Sequence, residues 1–174
     1  MKTKNITILA IDDSEIDQEL ITRAFRKNGV SGPIYWVSCG DDAIAYLKGV
    51  GQYADRSRFG YPNFIMTDLK MPNGDGFSVL KHLKSRPEWA VIPTVVFSAS
   101  SDLDDVKRSY MLGASSYIIK PVVFDEMRDC IKILYDYWML CETPEVDMTG
   151  KRLDTVSCGK LGARFIHQND NEEV

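Results

Sequence analysis

Residues 63–76 read NFIMTDLKMPNGDG, a short apolar run closed by one aspartate and then by a dense set of turn residues. The run 63–67 shows no polar alternation, so it reads as a strand buried on both faces. Pro72, Asn73, Gly74 and Gly76 then end the extended segment and turn the chain. A helical pattern follows, with Phe77, Val79, Leu80 and Leu83 in phase. Strand, acid, turn and helix form a unit that recurs on both sides of this stretch.

Toward the N-terminus, 6–11 reads as a first strand, ended by Asp12 and Asp13. Ser14 caps a helix carrying Ile16, Leu20, Ala24 and Phe25, which stops at Asn28 and Gly29. A second strand spans 33–37. Asp41 and Asp42 open a second helix through Ala43, Ala45, Tyr46 and Leu47, stopped by Gly49 and Gly51. The polar stretch 52–61 reads as a loop. Toward the C-terminus, 93–98 is a fourth strand and Asp102 caps a fourth helix with Leu103, Val106, Tyr110 and Met111, ending at Gly113. A fifth strand covers 116–119. A fifth helix runs from about 124 to 138, with Met127, Ile131, Leu134 and Tyr135 in phase. Five strand–helix units with continuously apolar strands predict an α/β domain, a parallel sheet covered by helices on both faces and wound doubly by right-handed crossovers. The pattern fills residues 1–141. Residues 142–174 read as a loosely attached C-terminal extension, with a short docking segment around 161–166.

The chain of 174 residues is long enough to bury a core without disulfides or a structural metal. A net charge of -4 leaves no cationic excess for neutralising nucleic-acid phosphates, so direct DNA binding is not expected. No apolar stretch has the length of a membrane span or a signal-peptide core. Cys39, Cys130, Cys141 and Cys158 lack metal-binding spacing, and reduced thiols in a cytoplasmic setting are the simplest reading. His82 reads as a surface residue of the third helix, and His167 has no suggested partner.

Sites on open parallel sheets lie beyond the carboxyl ends of the strands. Strand one ends in Asp12 and Asp13, strand three in Asp68, strand four in Ser98, and strand five in Lys120 and Pro121. Singly, each has an ordinary explanation as a cap or turn residue. Together they bring three carboxylates, a hydroxyl and an ammonium toward one crevice. Clustered carboxylates repel unless a cation sits among them, and an all-oxygen donor set suits Mg2+. These are the parts of a phosphoryl-transfer site with one carboxylate as nucleophile.

The segments 11–14, 66–76, 96–99, 113–114 and 117–121 resemble, in order and spacing, the receiver (response regulatory) domain of CheY-like response regulators, over about residues 5–138. The resemblance implies a flavodoxin-like (βα)5 fold with strand order 2-1-3-4-5. It implies Asp68 as phosphoacceptor and Asp13 as direct Mg2+ ligand, with Asp12 acting through water and the Lys70 backbone carbonyl completing the metal shell. Ser98 matches the hydroxyl that moves onto the phosphoryl group, Lys120 the lysine that pairs with it, and Tyr117 the aromatic switch that turns inward. Lys120–Pro121 is expected to be cis. Lys70 and Ser100 fall at positions that flank the hydrolysing water.

The same resemblance implies a two-component phosphorelay, with a histidine kinase as donor and an output surface made by the fourth helix, fifth strand and fifth helix. Lys107, Arg108 and Tyr110 are expected to present part of that surface. Gly51 through Ala54, and Tyr137 and Trp138 before Thr143 and Pro144, are similar to receivers that partner bacterial phytochrome-type kinases, in which the end of the last helix helps form a homodimer. Two other classes share parts of the pattern. A haloacid-dehalogenase-like phosphatase also uses an aspartyl phosphate, but has its nucleophile on the first strand with an acid two residues on; here the second residue after Asp12 is Ser14 and the second after Asp13 is Glu15, and the Asp68 segment fits a receiver better. A receiver-fold interaction module that is never phosphorylated would not need the full acceptor set.

Overall fold

The computed structural model describes residues 6–30 and 32–142. Five strands, β1 (Ile8–Ile11), β2 (Ile34–Val37), β3 (Phe64–Thr67), β4 (Thr94–Ser98) and β5 (Ser116–Ile119), form one sheet in the order β2-β1-β3-β4-β5. Every pairing is parallel. Six helices connect or follow them: α1 (Glu15–Lys27), α2 (Gly40–Lys48), α3 (Gly76–Lys84), α4 (Pro87–Ala90), α5 (Leu103–Met111) and α6 (Phe124–Leu140).

The alternation of side chains along a strand separates the core into layers. Ile8, Ala10, Phe64, Met66, Val95 and Phe97 face α1 and α6, meeting Ile21, Phe25, Met127, Ile131 and Leu134. Leu9, Ile11 and Ile65 face the opposite side, meeting Ala43, Tyr46, Leu47, Val79 and Leu83 of α2 and α3. A smaller cluster of Leu69, Phe77, Leu80, Val96 and Ala114 lies under the loop that follows β3. Because both faces of the inner strands are covered, the runs show no polar residue at every second position.

The helix ends follow the sequence signals. Ser14 Oγ accepts from the Asp17 N–H, Asp75 from Ser78, and Asp102 from Asp104. Gly49 closes α2 in the left-handed conformation at φ 63°.

Four features correct or extend the sequence reading. The one-turn helix α4, with Pro87 at its start and buried Trp89, was not anticipated, because four residues are too few to show a periodicity. The stretch 52–61 is more than a polar loop. Tyr53 and Phe59 pack with Tyr35 and Tyr46, and the Tyr46 hydroxyl donates to Gly60 O at 2.6 Å. Arg56 crosses back to donate to Leu47 O at 2.8 Å. On α5 most of the apolar residues read from the sequence point outward: Leu103 is 82% and Met111 66% exposed. Fully buried Ser109 faces inward, its hydroxyl bonded within the helix to Asp105 O, and α5 is tied to its neighbours by Arg108 over Phe77 and by the Tyr117 N–H donating to the Tyr110 hydroxyl, beside an edge strand that is itself half-exposed. Finally, Lys120–Pro121 is trans, the lower-energy form for an X–Pro bond.

The last helix ends with Cys141 as its C-cap. Trp138 packs on Phe64 at 5.7 Å between ring centroids, whereas Tyr137 is exposed. The expected extension lies, from residue 143, outside the described residues. Among the described residues no helix is long and apolar enough to cross a membrane.

Gly76 sets how closely the loop after β3 folds back. A Cβ there would sit 2.1 Å from Asp68 O and 2.9 Å from Leu69 Cα. Gly76→Ala must therefore displace backbone at the strand end, and a stability loss of about 2 kcal/mol or more is expected in urea denaturation. A midpoint equal to that of the parent chain would contradict this tight fit.

Candidate functional site

The sheet's hydrogen-bond ladder runs one residue past three strands and fixes the backbone of the site. Asp12 N–H donates to Val37 O at 3.0 Å, Asp68 N–H to Ile11 O at 2.8 Å, and Lys120 N–H to Ser98 O at 2.8 Å. Ser98 is the last residue of β4. These four side chains therefore leave the sheet at its carboxyl edge from adjacent positions.

The carboxylates among them converge on the Lys120 ammonium. Lys120 Nζ donates to Asp12 Oδ2 at 2.7 Å, Asp68 Oδ2 at 2.7 Å and Asp17 Oδ2 at 2.8 Å, so all three of its hydrogens are used. Its side chain is 7% exposed. The other oxygen of Asp68, Oδ1, accepts from Ser98 Oγ at 2.6 Å, from the Leu69 N–H at 2.5 Å and from the Lys70 N–H at 3.4 Å. Asp12 Oδ1 accepts from the Ser14 N–H at 2.9 Å, and the Gln18 side chain donates to Asp12 O.

Burial and charge act in opposition here. Burial pushes the Asp12 carboxyl up, and Lys120 with the Ser14 amide only partly offsets it, so it stays above the ordinary aspartate value. Burial acts on Asp68 as well, but Lys120, Ser98 and the Leu69 amide outweigh it and hold this carboxyl below the usual value. For Lys120 burial favours the neutral form, yet the bonds to Asp12, Asp17 and Asp68 raise it above the ordinary lysine value. Of the two strand-end carboxylates, Asp68 is thus the one whose ionised form its surroundings favour relative to a free aspartate.

Three carboxylates against one ammonium leave a formal excess of two negative charges. One oxygen from each of Asp12, Asp17 and Asp68 lies within 4.8 Å of the others. A hard, all-oxygen donor set with uncompensated negative charge fits a divalent cation such as Mg2+.

Of the residues singled out in the sequence, Asp12, Asp68, Ser98 and Lys120 are brought together. Asp13 follows them at the rim with its side chain exposed, and Lys70 is also exposed, its Nζ 3.7 Å from Asp105. Tyr117 is half-buried beside Val96 and Ala114, and its hydroxyl donates to Ser100 O at 2.8 Å. The ring is already turned inward while Ser98 still bonds Asp68. Arg108 stacks on Phe77, 4.1 Å from its centroid, so less of it is presented to a partner than its place on α5 suggested.

Asp17 was missed. Its N–H satisfies the Ser14 cap, and the same first turn of α1 aims its carboxylate into the crevice. The signal was the spacing Ser14-x-x-Asp17, which reads as a capping pattern and nothing more.

Comparison with known proteins agrees with this geometry. Residues 8–132 match the family model of the response regulator receiver domain. The chain is 33% identical over 132 residues to the probable methanogenesis regulatory protein FilR2 of Methanothrix harundinacea, covering 76% of this chain and 83% of that protein. It is 30% identical over 132 residues to the response regulator Rcp1 of Synechocystis, covering 76% and 88%. The crystal structure of the Mn2+-bound form of Rcp1 superposes with a TM-score of 0.73 at 28% identity, covering 80% of this chain and 99% of that one. The phosphorylated cyanobacterial phytochrome response regulator RcpA superposes with a TM-score of 0.75 at 31% identity, covering 82% of this chain and all of the other, 100%.

Removing the central cation exposes the repulsion it masks. Lys120→Met leaves Asp12, Asp17 and Asp68 buried together without a counter-charge, and should cost roughly 3–5 kcal/mol at pH 7 without divalent cations. Asp12, already raised by burial, then rises further, so the folded variant keeps a proton there at pH values where its unfolded chain has lost it. Its stability should therefore recover as pH falls from 7 toward 5, and Mg2+ should restore part of it. Thermal melts across that range check the sign: a deficit that widens on acidification would contradict it.

Proposed function

The chain belongs to the response regulator receiver domain family, and on that premise we propose that it accepts a phosphoryl group on Asp68 from a histidine kinase, with Mg2+ bound beside it. The observation that carries this reading is the division of labour at the Asp68 carboxylate. One oxygen is held by Lys120 and the other by Ser98, at 2.7 and 2.6 Å, and the carboxyl is kept ionised.

The chemistry follows from those contacts. An Asp68 oxygen attacks the phosphorus of a phosphohistidine. The P–O bond forms as the P–N bond breaks, and the leaving imidazole nitrogen takes up a proton. Negative charge on the transferred oxygens is met by groups already in place: the Lys120 ammonium, the Ser98 hydroxyl and the Leu69 N–H. Asp12, Asp13 and Asp68, with the Lys70 carbonyl, would hold the metal, and Asp17 adds a carboxylate to the same cluster. When bound, Mg2+ supplies charge neutralisation for the phosphoryl oxygens. The metal reading is supported by the Mn2+-bound form of Rcp1.

Phosphorylation then acts as a local electrostatic change with a distant readout. Ser98 leaves Asp68 Oδ1 for a phosphoryl oxygen, and Tyr117 is locked in its inward position. The exposed Leu103, Tyr110, Met111 and Ile119 of α5 and β5 supply the apolar surface through which a protein partner reads the change. A phytochrome-type kinase is the donor class favoured by the likeness to RcpA, whose description names a cyanobacterial phytochrome. Ile133, Tyr137 and Leu140 form an exposed stripe at helical spacing on α6, which supports self-association through that helix.

Incubation with acetyl phosphate and Mg2+ should add one phosphoryl group per chain by intact mass. Asp68→Asn should abolish it, and chelation of Mg2+ should reduce it at least tenfold. Undiminished labelling of Asp68→Asn would overturn the assignment. Sizing of the labelled and unlabelled chain tests the self-association.

A further inference from the structure

Lys120 is held by three carboxylates that are not themselves held alike. On Asp12 and Asp68 the oxygen that Lys120 does not use accepts a backbone N–H, from Ser14 at 2.9 Å and from Leu69 at 2.5 Å. Both are thereby fixed to the carboxyl edge of the sheet independently of the lysine. Asp17 stands on α1, where its own N–H satisfies the Ser14 cap, and its carboxylate meets Lys120 Nζ at 2.8 Å. Its side chain is 30% exposed, against 4% for Asp12 and 12% for Asp68, so of the three it lies nearest water.

Counting charge separates its part from theirs. Asp12 and Asp68 carry two negative charges, as many as one divalent cation neutralises. Lys120 brings a further positive charge, and Asp17 brings the carboxylate that matches it. Asp13 lies at the rim with its side chain exposed, and none of the three ammonium hydrogens goes to it. Two cations in one crevice repel each other, the more so where water is excluded. With the divalent cation in excess, the ammonium is the one that gives way, since it rides on a flexible four-carbon stem.

From this arrangement we infer that Asp17 is a positioning residue for Lys120, which keeps the ammonium in the crevice while Asp12 and Asp68 share their charge with a divalent cation. The inference rests on Mg2+ binding beside Asp68, and it assigns Asp17 to the lysine and not to the metal. Transfer to Asp68 calls on both positive charges at once, because the oxygens of an arriving phosphoryl group are repelled by a crevice of carboxylates. A lysine paired only with Asp12 and Asp68 stays in place until the cation takes up those two carboxylates. Asp17 removes that conflict, leaving the ammonium one partner that the strand ends do not supply. The Ser14 cap serves the same end, since it fixes the first turn of α1, from which Asp17 reaches in.

The test reads the lysine itself. The full chain, with and without saturating Mg2+ at constant ionic strength, is given a brief pulse of a water-soluble acetylating ester. Trypsin does not cut between Lys120 and Pro121, so the peptide 109–128 carries Lys120 as its one lysine, and its acetylation is scored by mass against exposed Lys132. In the parent chain Lys120 should stay protected in both conditions. Asp17→Asn keeps the shape and the capping N–H but not the charge. In this variant Lys120 should stay protected without Mg2+, held by Asp12 and Asp68, and should acetylate about threefold faster, or more, with Mg2+. Equal protection with and without Mg2+ in Asp17→Asn overturns the inference. So does exposure that is the same in both conditions, the sign of a loosened fold, or a Mg2+-dependent rise that the parent shares. Should Asp17→Asn fail to fold by circular dichroism, Asp17→Ser is judged by the same comparison. Calorimetric titration with Mg2+ separates the premise. No binding by the parent counts against a metal beside Asp68, whereas binding by parent and variant with Lys120 protected throughout counts against Asp17 alone.

Discussion

One buried ammonium makes the carboxyl edge of this sheet tolerable. Asp12, Asp17 and Asp68 arrive from β1, α1 and β3, and each alone would resist losing water without a counter-charge. Lys120, delivered from the end of β5, bonds all three and exposes almost none of its own side chain. Strand order is what permits this. β1 and β3 are neighbours, and β4 then β5 follow outward, so a long side chain leaving β5 reaches back across the Ser98 position to both. The parallel ladder adds the backbone constraint, since Asp12, Asp68 and Lys120 each donate an N–H to the neighbouring strand. The same contacts set the two aspartates apart. Burial wins at Asp12, and hydrogen bonding wins at Asp68. Two carboxylates of similar burial thus hold different protonation tendencies because only one of them also receives Ser98 and two backbone amides.

Much of this was legible in the sequence, for identifiable reasons. Continuous apolar runs such as 64–67 mark strands covered on both faces, and in a parallel sheet the residues after such strands share an edge. That is why Asp12, Asp13, Asp68, Ser98 and Lys120 group together in the sequence itself, although the Asp13 side chain stays exposed at the rim. Residues that enter the site from helices were not legible. Asp17 and Asp105 both lie in first turns, where an acidic residue is expected as a cap or a complement to the helix dipole, and that sufficient local role hides a tertiary one. The aromatic packing at 52–61 was hidden because Tyr53, Phe59 and Tyr61 are interleaved with charges, leaving neither a two-residue nor a 3.6-residue period. In α5 the pattern was visible but its direction was not. An amphipathic helix has an apolar face, yet nothing in its own residues says whether a core or a partner covers it.

That reversal on α5 bears on how a change at Asp68 can be transmitted. A helix seated by many buried apolar side chains, as α1 and α6 are, moves only at the cost of opening close-packed core. The α5 helix is held differently, by buried Ser109, half-buried Val106, Arg108 over Phe77 and the Tyr117 N–H donating to the Tyr110 hydroxyl, with Leu103 and Met111 in solvent. Regions with few buried apolar contacts lie at the low end of local stability and are the ones that shift when a ligand redistributes contacts. Its polar anchors also connect directly to the site. Asp105 bonds Ser100, Ser100 touches Ser98, and Ser98 bonds Asp68.

A shift of this kind requires a difference in contact energy between two arrangements, and the site supplies one. Ser98 can satisfy its hydrogen on the Asp68 carboxylate or on another anionic oxygen in the same crevice, but on only one of them at a time. Moving that single bond releases Asp68 Oδ1 and draws on the Ser100 amide, which is linked through one residue to both the Tyr117 hydroxyl and Asp105. Of the helices, α5 is the one those bonds reach, through Asp105. Exposed Leu103, Tyr110 and Met111 therefore lie on the helix that this chain of hydrogen bonds connects to Asp68.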